Sequence, residues 1–228
     1  MIENNNWVKE ILKDKNISLI GFANLSNMDN ELCYGFKYGI SIAIALKIFP
    51  SITNEPSKEY YYEYINVSKR LKEASIFLCD SIKNRGFNAY SLAGEKQNEK
   101  YRTKLPFKTL ATKSGLGWIG KSATFVTEEY GNAIRLNGVL TEMPMETGIP
   151  IESSFCENCI ECVKNCPGKA IIGNSWNLEI DRDNLLNAYK CKETVIERGK
   201  VWNVTEGSCG VCLSVCPFTK KYIKRLKI

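Results

Sequence analysis

Eight of the ten cysteines of this 228-residue chain fall between positions 156 and 216, in two runs that each end in Cys-Pro. The first run is Cys156-x2-Cys159-x2-Cys162-x3-Cys166-Pro167. The second is Cys209-x2-Cys212-x3-Cys216-Pro217, preceded by the isolated Cys191. Two-residue spacings let a curled loop present three sulfurs and several backbone amides to one small object, which suits a [4Fe–4S] cube, and the cysteine before proline then reaches a second cube. Crossing the runs in this way assigns Cys156, Cys159, Cys162 and Cys216 to cluster 1. Cys166, Cys191, Cys209 and Cys212 go to cluster 2, with Cys191 the loosest member because seventeen residues separate it from Cys209. Zinc sites pair two CxxC hooks and do not twice place such a run before proline.

What the chain lacks narrows its chemistry further. It contains no histidine, which excludes Ser-His-Asp and Cys-His catalysis, imidazole zinc sites, Rieske centres and His-ligated haem. The opening MIENNNWVKEILKDKN has neither an apolar core nor a small-residue cleavage site, and the longest apolar run, near Ile40–Phe49, is broken by Ser41 and Lys47. The expectation is a cytoplasmic protein with no membrane segment, whose clustered cysteines are ligands rather than disulfides. Cys33 and Cys79 stand outside the clusters and are read as buried structural thiols. The formal charge of +6 suggests nucleic acid, but ligation turns eight thiols into thiolates and brings the loaded protein to about +2.

Along the chain, residues 5–15 are read as a short helix with Asn4 to Asn6 as capping candidates. Ile17–Ala23 and Tyr38–Phe49 follow as strands, the second so continuously apolar that it belongs in the middle of a sheet. Ser57 to Asn84 carries apolar residues at helical steps (Tyr64, Val67, Leu71, Ala74, Leu78, Ile82), with Gly86 as C-cap. Phe87–Leu92 is a third strand candidate and Pro106–Lys113 a short helix. Ala123–Val126 and Ala133–Thr141 are strand-like, joined by the hairpin turn Glu129-Tyr130-Gly131-Asn132. Composition shifts after residue 150, which divides the chain into a front region over 1–150 and a cysteine module over 151–228.

Gly115-Leu-Gly117-Trp118-Ile119-Gly120-Lys121-Ser122 matches two nucleotide-binding strings, G-x-G-x-x-G and G-x-x-x-x-G-K-S. Both work only where a strand feeds the loop and a helix begins at its end. Here a helical pattern precedes and a strand pattern follows, so the string is not read as a phosphate loop.

Ser114–Lys121, the pattern running to Gly138-Val-Leu-Thr141-Glu142, and the two cysteine runs together resemble epoxyqueuosine reductase and, more distantly, the reductive dehalogenases. The likeness covers roughly residues 105–218 and extends weakly to Leu19–Ala23 and Ile40–Pro50. It implies an α/β (α+β) nitroreductase-like front domain that holds cobalamin with its own base detached and no histidine in its place. A C-terminal two-cluster ferredoxin-like module would feed that cofactor electrons. On this likeness Gly115, Gly117, Trp118, Ile119, Gly120 and Lys121 are cofactor-binding candidates.

There are also departures from the family. About fourteen residues between Ala23 and Tyr38 replace a longer segment, and Tyr62-Glu63-Tyr64 falls where the family carries Asp-Tyr-His. Tyr62 and Glu63 are therefore candidate proton donors, set against a plain alternative of dipole-favoured Glu and packed tyrosines in a first helical turn. The chain continues only twelve residues past Cys216, where the tRNA-acting members go on, which points away from tRNA. The tail Lys220, Lys221, Lys224, Arg225 and Lys227 is read as a solvated face or a dock for an acidic low-potential donor such as a ferredoxin or flavodoxin. The expected function is an iron–sulfur oxidoreductase passing electrons through two [4Fe–4S] clusters to a corrinoid, or secondarily a flavin, that reduces a small substrate. The alternative is a cobalamin-free carrier that reduces a partner protein.

Overall fold

In the computed structural model, residues 1–48, 57–207 and 209–226 are described; the sequence expectations at Phe49, Pro50 and Lys227 lie outside them. The most apolar stretch of the front becomes strand β2 (Tyr38–Ala45), buried at seven of its eight positions. Strand β1 (Leu19–Asn24) pairs with it antiparallel, from Leu19 opposite Ala43 to Asn24 opposite Tyr38. Helix α1 (Ile2–Ile11) precedes them, and β3 (Ala89–Ser91) and β6 (Ile134–Thr141) complete a four-stranded sheet in the order β1-β2-β6-β3. Short β4 (Trp118–Ile119) and β5 (Phe125–Val126) form a separate antiparallel pair. Burial at consecutive positions means that both faces of β2 are covered, the setting that a continuous apolar run in a central strand requires.

The long helix α2 (Lys58–Asn84) buries Val67, Leu71, Ala74, Leu78 and Ile82, the stripe that its 3.6-residue period predicts. It ends as Gly86 predicts: with φ +86, the Gly86 N–H donates to Lys83 O and the Phe87 N–H to Ile82 O, the paired bonds of a Schellman cap. Helix α3 (Phe107–Lys113) sends fully buried Leu110 into the space that Gly39 of β2 and Gly138 of β6 leave open. Ala23, Leu25, Cys33, Leu92, Leu105 and Leu140 close this core around it.

Two local expectations are corrected. The asparagines at the start of α1 do not cap it, since the N-cap is Met1. Asn4 and Asn5 are inside the helix, and their amides donate to Pro144 O and Glu146 O. The turn before residue 133 also does not join two paired strands, because β5 pairs with β4 whereas β6 belongs to the larger sheet. The Thr127 hydroxyl accepts from Tyr130 N and the Thr127 and Gly131 backbones bridge, which tightens the loop. Asn132 is then engaged by Thr219 and Thr124 rather than by a strand partner.

Chain contacts divide the molecule into two compact units, neither continuous in sequence. One comprises Met1–Ile44, Val67–Gly117 and Arg135–Ile151; the other comprises Ala45–Asn66, Trp118–Ile134 and Glu152–Ile228. The second unit contains α4 (Glu161–Lys164), α5 (Ala188–Gly199), α6 (Val211–Ser214) and α7 (Pro217–Leu226). Asn187 caps α5 through its side chain, accepting from Lys190 N. No helix among the described residues is long and apolar enough to cross a membrane.

Candidate iron–sulfur centres

Each cysteine run folds as a curled loop entering one short helical turn. In the first, Cys159 N–H donates to Cys156 O, α4 carries Cys162, and Cys166 follows the turn with its sulfur accepting from Ala170 N. Glu157, between the first two ligand candidates, sits at φ +42, a left-handed conformation that is costly for a non-glycine residue. In the second run Gly210 takes φ +76 at no such cost, α6 carries Cys212, and Pro217 occupies the first position of α7. All ten cysteines are free thiols.

The electrostatic neighbourhoods show which sulfurs lie together. Burial pushes the Cys162 thiol up to about 11, and Cys156, Cys159 and Cys216 add to the shift by repulsion. The Cys191 thiol is likewise pushed up to about 11, by burial and then by Cys209 and Cys166. Cys212 is raised by burial, then by Cys209, Cys191, Cys162 and Cys166, so the two groups of sulfurs adjoin. Cys216 is raised by burial but opposed by the N–H groups of Thr219 and Phe218, which favour its thiolate. Cys162, Cys191, Cys212 and Cys216, all raised, give up their protons together only where a cation core compensates them, and two four-iron cubes supply that compensation. The donor set therefore fits two clusters. Among the described residues no three Cys, Asp or Glu side chains converge as they do around one metal ion. A cube needs its ligands further apart than a lone zinc does, with zinc–sulfur bonds of ~2.3 Å.

A cavity opens beside the first group, lined by Cys156, Cys159, Cys162, Cys212 and Cys216 and by Gly120, Lys121 and Asn132. Gly120 admits Cys156: a Cβ there would stand 3.3 Å from the Cys156 sulfur and 2.9 Å from Val126. Lys121 is 7% exposed and donates to Glu157 O at 2.7 Å, across 36 residues. Asn132 bonds reciprocally with the Thr219 hydroxyl and donates to Thr124 Oγ1 and Cys212 O. Gly131 leaves no room for a side chain against the Thr219 backbone. Spacing alone did not reveal Asn132, Thr124 or Thr219, because their partners are up to 87 residues away in sequence. The one available signal was the Tyr130-Gly131-Asn132 turn, which looked like ordinary hairpin chemistry.

The candidate cofactor string divides between the two units. Gly115 (φ +73) and Gly117 belong to the first, where a Cβ on Gly115 would meet Ile149 O. Trp118, Ile119, Gly120 and Lys121 belong to the second. Trp118 is 2% exposed between the rings of Phe155 and Phe218, and its indole N–H has no partner. Tyr62 is 58% exposed with the Lys58 ammonium 5.9 Å from its ring centre, and Glu63 accepts from Lys47 N. Their neighbours Tyr60, Tyr61 and Tyr64 pack against Gly207 and Gly210, flanking Cys209. Cys33 and Cys79 are buried, and desolvation raises both thiols.

Comparison with known proteins supports the same centres. Residues 155–219 match the family model described as a 4Fe-4S double cluster binding domain. The tetrachloroethene reductive dehalogenase of Sulfurospirillum multivorans is 32% identical over 157 residues, which is 64% of this chain and 28% of that protein. An epoxyqueuosine reductase of Atelocyanobacterium thalassa is 28% identical over 167 residues, 71% of this chain and 50% of its own length. Thus the chain spans half or less of these relatives.

Among solved structures, an epoxyqueuosine reductase with an epoxyqueuosine-modified tRNA stem loop aligns with TM-score 0.65 and 19% identity, covering 96% of this chain and 66% of the other. A reductive dehalogenase structure described in terms of B12-dependent dehalogenation aligns with TM-score 0.69 and 15% identity, covering 99% of this chain and 34% of the other. At these identities the alignments establish a shared fold.

Proposed function

We propose that this chain is an iron–sulfur reductase whose residue 151–228 module holds two [4Fe–4S] clusters and whose 1–150 region binds a corrinoid acting on a small-molecule substrate. The observation that carries the reading is the sorting of the clustered thiols into two adjoining groups, Cys162 with Cys156, Cys159 and Cys216, and Cys191 with Cys209, Cys166 and Cys212. Cys156, Cys159, Cys162 and Cys216 are the ligands of cluster 1; Cys166, Cys191, Cys209 and Cys212 are those of cluster 2. When bound, such clusters supply one-electron transfer at potentials set by burial, charge and hydrogen bonds to sulfur.

The chain's residues have defined tasks in this reading. The Ala170 N–H donates to the Cys166 sulfur, and Asn132 holds the Cys212 turn through its carbonyl. The unpartnered, buried Trp118 N–H is a spare donor of the kind that an organic cofactor satisfies. A corrinoid, when bound, would supply the reducing metal centre, with no imidazole from this chain because it has none. Support for the corrinoid comes from the B12-dependent dehalogenation named for the structural neighbour and from the resemblance of Gly115–Lys121 to the epoxyqueuosine reductase pattern. Tyr62 and Glu63 are the proton-donor candidates. The donor is a low-potential ferredoxin or flavodoxin.

Anaerobic reconstitution followed by cobalamin titration tests this proposal. About eight irons per chain and the spectrum of base-off cobalt are expected. Full iron without cobalamin binding would make the chain an electron carrier to a partner protein. Turnover of an epoxyqueuosine-modified stem loop by the loaded chain would place the substrate in tRNA, as in the neighbour of known structure.

A further inference from the structure

The lysine that completes the phosphate-loop string has no phosphate context, yet it is the most deeply placed cation at the cysteine cavity. Lys121 is 7% exposed, lines the cavity with Cys156, Cys159, Cys162 and Cys216, and donates to the backbone carbonyl of Glu157. It bonds that carbonyl while the Glu157 side chain points to solvent. Among the described residues no carboxylate pairs with Lys121. A buried ammonium bonded only to a carbonyl is expensive to maintain, so the position makes sense if negative charge is supplied from elsewhere.

We infer that Lys121 is the counter-charge of cluster 1, holding its Glu157-bearing ligand loop in place and favouring the reduced state of that cluster over the other. The inference rests on the cluster 1 ligand set proposed above. Four thiolates around an oxidised cube carry a net charge of about −2, and reduction adds one more negative charge. A fixed positive charge in the same low-dielectric cavity stabilises the more negative state. The same side chain, by donating to Glu157 O, ties down the Cys156–Cys159 loop at its one left-handed residue. Lys121 is thus a positioning residue whose charge and hydrogen bond are separable. Glutamine keeps a donor without charge, whereas arginine keeps the charge.

The test is a spectroscopically monitored redox titration of the reconstituted full chain as wild type, Lys121→Gln and Lys121→Arg. With full iron, Lys121→Gln is expected to make one of the two couples about tenfold harder to reduce at a given applied potential, about 59 mV for one electron. The other couple stays in place, and Lys121→Arg leaves both near their wild-type positions. Full iron in Lys121→Gln with both couples unmoved overturns the role of Lys121 alone. If Lys121→Gln instead loses iron, retention by Lys121→Arg supports the counter-charge and loss from both variants overturns it. A wild-type chain holding far fewer than about eight irons overturns the ligand reading, and the inference with it.

Discussion

Leu110 occupies, with no exposure, the volume that two glycines on neighbouring strands give up. Leu110→Ala is expected to destabilise the first unit by about 2–5 kcal/mol through the cavity it leaves. Gly39→Ala drives a methyl group into the same leucine and costs about 1–3 kcal/mol by overpacking. The double variant should lose less than the sum, since each change relieves the other; denaturant melts of the three proteins measure this. At this scale the sequence is most readable where spacing is itself chemistry, as in the cysteine runs. It is opaque where a residue acts through distant partners. The contact of Lys121 with the first cysteine loop was hidden because its partner is 36 residues on, and Asn132 looked like a turn residue because Thr219 is 87 residues on.

Elements were legible in proportion to their length. Helix α2 shows seven turns of periodicity and a glycine stop, so both its face and its C-cap follow from the sequence. β4 and β5 have two residues each, too few to show any period, and the partner of β5 could not be read from a turn signal that was itself genuine. The loop after β5 carries a pH response. Burial and the Glu129 carboxylate push the Tyr130 phenol from its ordinary value near 10 up to about 12, so the folded state prefers the protonated form. Its stabilising contribution is therefore complete below about pH 10 and fades as pH rises towards 12. Thermal melts of the metal-free chain at pH 9 and pH 11 should show a smaller alkaline loss in Tyr130→Phe than in wild type. Some loss will persist, because Tyr222, which meets Tyr130 edge-on at 5.1 Å, is raised as well.

For the molecule as a whole, the ten cysteines should separate into two classes by metal analysis. Cys33→Ser and Cys79→Ser are expected to keep the full complement of about eight irons, and Cys191→Ser to lose up to about half of it. Exposed Lys220, Lys221 and Lys224 form one basic stretch on α7. Reduction by an acidic ferredoxin should slow several-fold as salt rises to a few hundred millimolar, and the salt dependence should flatten when all three are changed to glutamine. Stopped-flow reduction kinetics would check both outcomes. The change in composition near residue 150 was visible in the sequence. The recruitment of Ala45–Asn66 and Trp118–Ile134 to the cysteine-bearing unit was not, because neither segment carries a cysteine or a break in composition.

The crossed grouping of the sulfurs also bears on the order of assembly. Cys162 gathers with Cys216, and Cys166 gathers with Cys209, so each group draws on both ends of a sixty-residue stretch. During synthesis Lys121 and Asn132 emerge first and the early thiols follow, but neither set of four is complete until the second run has left the ribosome. A nascent chain thus presents only partial sets of donors, and metallation becomes a late, nearly simultaneous event for both centres. Iron delivered too early would meet three thiols of the first set or two of the second, each with corners left open.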